Sequence, residues 1–267
     1  MKRHLHLSKY ISTFIVFVAI LLGVSNTVWA AIALRGTATT GTSTTTSLVI
    51  NKPTGVVAGD VMIVNIAQVG NNTTAPALTG WSLIDGRSLA GTTLRYGAVL
   101  YRVANGTEGT NFTFALGTGT NSSSGAIVAF SGVDGTNTFD VATGTISVQV
   151  SQTAVAATSI TSATANAAII MFGMAANSIS TWSGWTTTSP GALTELYDNQ
   201  STNASVGAAW ATKVGAGATG AGAATLSANQ RSGGILIALR AALPPTITTL
   251  SPSTGCQGAT GIVNYRH

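Results

Sequence analysis

The chain has 267 residues, only 7% of them charged, with a formal net charge of +5 and an isoelectric point near 9.7. From Ala31 to Arg266 there is no histidine, Cys256 is the single cysteine, and seven acidic and nine basic residues are spread over the whole stretch. Proton-transfer, nucleophilic and metal chemistry is built mainly from His, Cys and clustered carboxylates, so this inventory argues against an enzyme, rules out a His-based triad apart from the terminal His267, and leaves binding and structural roles.

The first thirty residues read as an export signal. Lys2, Arg3 and Lys9 form a positive start, and Ile11–Val24 is an apolar run of about 14 residues, short of the roughly 20 that a spanning helix needs. Val28 and Ala30 place small residues at −3 and −1, so cleavage is expected after Ala30. The expectation is a secreted or cell-surface protein with no membrane span after cleavage. Beyond residue 30, nine basic against seven acidic residues leave only +2, so the high isoelectric point carries no argument for nucleic acid. One cysteine cannot staple the fold internally, so core packing must hold it.

Residues 31–46 are Thr-rich, most densely from Thr37 to Thr46, and read as a linker leading into the edge strand Ser47-Leu48-Val49-Ile50. The alternative reading of that run is a hydroxyl array for ice or polysaccharide. Strand signals come next at Val61–Ile66, Gly97–Val103, Phe112–Leu116 and Ala126–Phe130: short runs rich in β-branched and aromatic residues, bounded by Gly, Asn, Asp or Ser. No capped segment carries a long 3.6-residue apolar period, so almost no helix is expected outside the signal. Residues 47–243 are therefore expected to form an all-β domain, an antiparallel β-sandwich or jelly roll.

The second half repeats the first. Val61–Ala67 parallels Ile169–Ala175, Thr79-Gly80-Trp81 parallels Ser183-Gly184-Trp185, Gly97–Leu100 parallels Gly207–Trp210, and Gly125–Phe130 parallels Gly234–Leu239. The four blocks keep their order, which indicates an internal duplication with halves of about 32–141 and 142–243. The halves could be two sheets of one sandwich or two small sandwiches; one sandwich is the preferred arrangement, because either half alone would leave an apolar face open.

Leu243-Pro244-Pro245 begins a change of texture, and residues 244–267 read as a linker followed by a strand at Thr246–Leu250 and a turn at Ser251–Gly255. The run Pro245–Cys256, with Gly258, resembles the opening of an IPT/TIG immunoglobulin-like domain. The resemblance implies incomplete Ig-like strands, as in a truncated reading frame of a longer modular surface protein. The main domain, through Ala58–Met62, Gly80-Trp81, Tyr101–Ala104 and Ala129–Asp134, resembles a β-sandwich module of bacterial secreted and phage-associated proteins. That resemblance implies an accessory module of unassigned ligand and brings no catalytic residues.

Aromatics are the binding candidates: Trp182 and Trp185 in a Ser/Thr/Gly segment, with Tyr197, could stack on sugar rings; the rival reading is a buried anchor, with Trp81 and Trp185, equivalent in the repeat, each fixing a loop onto its own sheet, and Trp210 lies in a strand pattern and reads as core. Asp134, Asn137 and Asp140 offer oxygens for a Ca²⁺ loop, although an ion needs six to eight, and Asp134-Gly135 is also an ordinary turn. No cofactor is expected beyond this candidate Ca²⁺. Glu195 and Asp198 are the nearest approach to a glycosidase pair. Gly215–Gly220 matches G-x-G-x-x-G, but with no helix pattern after it and no acidic residue beyond Asp198 it reads as a loop.

The resulting expectation is a non-catalytic secreted or surface module for adhesion or polysaccharide binding, or a spacer in a larger protein. A hydrolase or lyase using a carboxylate pair and a surface-layer or ice-binding protein are the alternatives. With few charges guarding the strand edges, self-association through them is also expected.

Overall fold

The computed structural model describes residues 31–71, 73–89, 94–176 and 179–243. The signal segment, the IPT/TIG-like run and Cys256 lie outside the described residues. Among the described residues, eight strands come from the first half: β1 (Ala33–Leu34), β2 (Thr39–Ser43), β3 (Ser47–Asn51), β4 (Val61–Val69), β5 (Ser82–Ser88), β6 (Arg95–Val103), β7 (Asn111–Ala115) and β8 (Ser122–Ser131). The second half adds eight more: β9 (Ser147–Ala157), β10 (Thr161–Ser162), β11 (Ala167–Ala176), β12 (Trp182–Thr186), β13 (Thr194–Gln200), β14 (Ala204–Lys213), β15 (Gly217–Ala218) and β16 (Gly222–Leu239). Among the described residues there is no helix and every pairing is antiparallel, so the chain is all-β.

The duplication is written in the topology. The first main sheet runs β1-β8-β4-β6-β5, with β2 also on β8; the second runs β12-β16-β11-β14-β13, with β9 also on β16. The order β8-β4-β6-β5 of the first is repeated as β16-β11-β14-β13 in the second. Even an irregularity recurs: β5 bulges between Leu83 and Asp85, opposite Leu100 and Val99, and β13 bulges between Glu195 and Tyr197, opposite Ala209 and Ala208. A bulge inserts one residue and re-aims the side chains beyond it, so its return at the same place aligns the halves residue by residue.

That alignment corrects two of the four sequence blocks. Gly125 and Gly234 correspond as expected. Their partners across the ladder are Ile66 and Gly173, and beyond those Ala98 and Gly207. Ile66 rather than Asn65 therefore matches Gly173, and Ala98 rather than Gly97 matches Gly207. A one-residue slip moves a strand residue to the other face, so the difference decides which core each side chain enters.

Each half closes a core of its own. In the first, the ribbon β3–β7 lays Leu48, Ile50, Phe112 and Phe114 over Met62, Val64, Ile66, Ala98, Leu100 and Ile127 of the main sheet. In the second, β9 and β16 continue from the main sheet into the covering ribbon, where Ala154–Ala157 pair with Gly222–Thr225; Val155, Ala157, Ala224 and Leu226 cover Ile169, Met171, Ala209 and Leu236. The ribbon strands β3 and β7 alternate buried with exposed, whereas β4, β8 and β11 are buried almost throughout.

Continuous burial arises because the backs of the two main sheets pack against each other. Phe130 meets Trp210 edge to face at 5.3 Å, and Met174 sits where a side chain on Gly97 would be. Asn65 is a buried polar residue of this layer: its Nδ2 donates to the carbonyls of Gly173 (3.0 Å) and Gly207 (3.3 Å), and its Oδ1 accepts from the Tyr197 hydroxyl (2.6 Å). The arrangement is thus two small sandwiches joined back to back rather than the preferred single sandwich, because a ribbon of each half covers one face of its own main sheet; the described residues as far as Ala242 fall in one compact unit. The apolar face that either half would leave open is closed by the other.

The Thr-rich stretch is not a linker. Thr39–Ser43 pair in register with Ile127–Ser123 of β8. The ladder alternates its side chains between two faces, and Thr39 donates to the Asn51 carbonyl, so the threonines do not form one flat hydroxyl array.

Candidate binding site

The aromatics expected to bind sugar are core residues. Trp182 and Trp185 lie on β12, 4% and 5% exposed, with rings stacked at 5.3 Å and 21°. Room for the pair comes from glycine on the neighbouring strands: a Cβ on Gly173 would stand 2.4 Å from Trp182 Cζ3, and one on Gly207 2.7 Å from Trp182 Cγ. Trp185 Nε1 donates to Glu195 Oε2 at 2.9 Å, and the Trp182 amide donates to Asp198 Oδ2 at 2.9 Å. Stacked on each other and backed by glycine, the two rings plug the second core instead of presenting a platform. Tyr197 is buried in the layer between the sheets, where desolvation pushes its hydroxyl pKa well above the ordinary value.

The proposed carboxylate pair serves the same plug. Glu195 and Asp198 flank the β13 bulge on the side of the second core, and each holds one tryptophan rather than facing a shared cleft. The calcium loop likewise comes apart into separate turns. Asp134 Oδ1 accepts from the amides of Thr136 and Asn137, and its Oδ2 faces Arg240. Asp140 accepts from the amides of Ala163 and Thr164 and from the Thr164 hydroxyl. Asn137 stays beside Asp134, to which its amide donates, whereas both Asp140 oxygens are taken up by Ala163 and Thr164. Among the described residues, no group of three or more His, Cys, Asp or Glu side chains is placed to hold a metal ion. Within the Gly215–Gly220 run, Gly217-Ala218 form β15 paired with β10, and no helix opens there.

The other acids are equally engaged. Asp60 binds Arg35 and the Val57 amide. Asp85 binds Arg87 and the Ile146 amide. Glu108 accepts from Arg102 and from the amides of Asn105 and Gly106. Burial works to raise the Glu108 pKa, but these amides and the guanidinium outweigh it and leave it below the usual carboxylate value. Asp134 is also lowered, first by the Asn137 amide and then by that of Thr136.

A different feature, missed by motif reading, is a cleft of about 610 Å³ on the first half, lined by Ala75–Thr79, Trp81, Leu83, Leu100, Thr113 and Ala115. Its wall is pinned by reciprocal bonds between Ala77 and Ala115, each 2.9 Å, and by the turn in which the Trp81 amide donates to the Leu78 carbonyl. Gly80 takes φ +84° in that turn, and Gly184 takes φ +66° before Trp185, a backbone that glycine adopts without strain. Trp81 packs edge-on against Phe112 (5.1 Å) and Phe114 (5.2 Å). Its indole Nε1 is buried without a hydrogen-bond partner.

Set against the second half, the cleft is a variation on the tryptophan plug. Leu78 and Trp182 each stand three residues before the repeated tryptophan. Leu83 and Glu195 each open the bulge. The residues that cover Trp185 and cap its N–H are thus both leucines beside Trp81, and both leucines line the cleft. A smaller notch of about 400 Å³ is lined by hydroxyls alone: Thr42, Ser43, Thr44, Ser201 and Thr202.

Compared with known proteins, the chain matches no family model, no curated protein and no solved structure. Its functional reading rests on its own geometry.

Proposed function

We propose that this chain is a non-catalytic β-module of a secreted or surface protein, serving adhesion and spacing. The observation that supports this most directly is the use made of the carboxylates: each of the seven acidic residues is tied to a backbone amide, a guanidinium or an indole of the fold itself. Acid–base chemistry needs a carboxylate facing substrate, with a pKa suited to its task; here the carboxylate shifts that are resolved, at Glu108 and Asp134, run downward. Bacterial export and a place within a larger modular protein belong to the same proposal, supported by the leader pattern at residues 1–30 and the IPT/TIG-like run after Leu243.

The decisive test is to incubate the full chain with a panel of polysaccharides and assay released ends, beside Glu195→Gln and Asp198→Asn. No release above blank, with a lowered melting temperature in Asp198→Asn, is the expected outcome. Turnover by the native chain that disappears in either variant would overturn the proposal in favour of a hydrolase or lyase.

A further inference from the structure

We propose that the cleft beside Trp81 is the module's contact site, and that it receives an aromatic side chain of a partner polypeptide together with an oxygen acceptor carried next to that ring. The inference rests on the adhesive reading above and adds the place and the chemistry of the contact.

Three observations carry it. First, the lining is apolar on Ala75, Pro76, Ala77, Leu78, Leu83, Leu100 and Ala115, with hydroxyls at Thr79 and Thr113 and no charged residue. Such a lining disfavours phosphate, uronate or any charged group, which would lose its hydration without compensation. Second, the same molecule contains a filled counterpart. The second half supplies Trp185 with an indole face from Trp182 and an oxygen from Glu195. In the first half Leu78 and Leu83 stand at those two positions, and Trp81 Nε1 is left without an acceptor in a place where an unmade hydrogen bond is costly. The second half provides a flat ring and an oxygen within itself, and the first half can take the same chemistry from outside. Leu83 stands where Glu195 does and is 49% exposed, so an oxygen reaching Trp81 Nε1 would enter by displacing it. Ile66 and Ala98, larger than Gly173 and Gly207, fill the level at which Trp182 lies, so the ring is accepted further out, against Leu78, Leu83 and Trp81.

Third, the edge beside the cleft does not favour strand addition. Ala77 uses both its main-chain groups on Ala115, and its neighbour Pro76 has no N–H to offer a further strand. Recognition then falls to a side chain rather than to a backbone ladder. Among the described residues no aromatic side chain is exposed, so the ring is assigned to a partner.

The test uses ¹⁵N-labelled full chain and tracks the indole N–H resonances, with Trp81→Phe assigning the one that matters. N-acetyl-tyrosinamide is expected to shift the Trp81 resonance saturably, in the range of weak amide ligands, and N-acetyl-leucinamide to bind about fivefold more weakly or less. Leu78→Trp copies the plug of the second half and is expected to weaken the response by about tenfold or more while the other indole resonances hold their positions. The inference is overturned if the tyrosine amide gives no saturable shift, if methyl β-glucoside shifts Trp81 and the amide does not, if the leucine amide binds equally well, or if folded Leu78→Trp responds undiminished. Any of these, with no polysaccharide turnover in the previous assay, removes the cleft and leaves the module reading standing.

Discussion

Asn65 shows how much one polar residue can decide. It lies in an apolar layer between two sheets, where an amide without partners would be expensive, and three hydrogen bonds satisfy it. Replacing Tyr197 by Phe leaves Asn65 Oδ1 without its donor and is expected to cost about 1–3 kcal/mol, read as a lower denaturant midpoint at unchanged slope. The same hydroxyl sets an alkaline limit. Its folded pKa is raised, so the stability it contributes is complete below the unfolded value of about 10 and is lost as pH rises beyond it, where the unfolded chain ionises and the folded one does not. Glu108 and Asp134 act at the other end: their folded pKa values are lowered, so their contribution is present above about pH 4 and disappears as pH falls through the folded values. Melting temperature against pH is expected to fall on both sides, and Tyr197→Phe is expected to flatten the alkaline side alone. None of these partnerships could be read from the sequence, because each depends on how the chain folds back on itself; Tyr197 and Asn65 look there like an isolated aromatic and an isolated strand polar residue.

At the scale of elements, the strands themselves were legible and their faces were not. The runs at Val61–Ile66, Gly97–Val103, Phe112–Leu116 and Ala126–Phe130 all coincide with strands, Phe112–Leu116 running one residue past its end. Alternation, the property that reveals which side of a strand is buried, vanishes where both sides are buried. That is why the repeat could be found from block order yet aligned one residue off on β4 and β6. Whether Trp182 and Trp185 are anchors or a platform stayed open for a related reason: their segment is Ser, Thr and Gly, and the glycines that make room for them, Gly173 and Gly207, stand on other strands. The signal was present as glycine in the middle of strands otherwise built from larger residues, which marks close approach. Gly173→Ala is accordingly expected to destabilise by about 1–3 kcal/mol through overpacking against Trp182. Trimming the ring with Trp182→Leu in the same chain should recover part of that loss, a non-additivity measurable in a double-mutant cycle. Leu83→Glu makes the converse test on the first half. If it caps Trp81 Nε1 as Glu195 caps Trp185, the variant should gain about 1 kcal/mol, seen as a raised melting temperature and a shifted indole N–H resonance.

At the scale of the whole molecule, two cores do not make two folding units. Each half buries one face of its main sheet by itself and the other face only against its neighbour, with Phe130, Asn65, Tyr197 and Trp210 in the shared layer. Unfolding of one half would expose the back of the other sheet. A single cooperative transition is therefore expected, with denaturation curves by far-ultraviolet circular dichroism and by tryptophan fluorescence superimposing. Two separated transitions would show that the shared layer is weaker than the cores. The all-β class and the duplication were within reach of composition and block order. The back-to-back join was not, since it depends on which faces the strands turn inward.

The halves have also ceased to be interchangeable. The position that matches Tyr197 across the duplication is Asp85, and the one that matches Asn65 is Phe172. Two copies of the first half brought together would set Asn65 against a carboxylate instead of a phenol, and two copies of the second would set Phe172 against Tyr197. Each half is thus mated to the other kind and to no second example of itself. A first half can, however, accept the second half of another molecule without changing a single contact, so chains whose connection between β8 and β9 is made too short to fold back have a ready route to a reciprocal exchange.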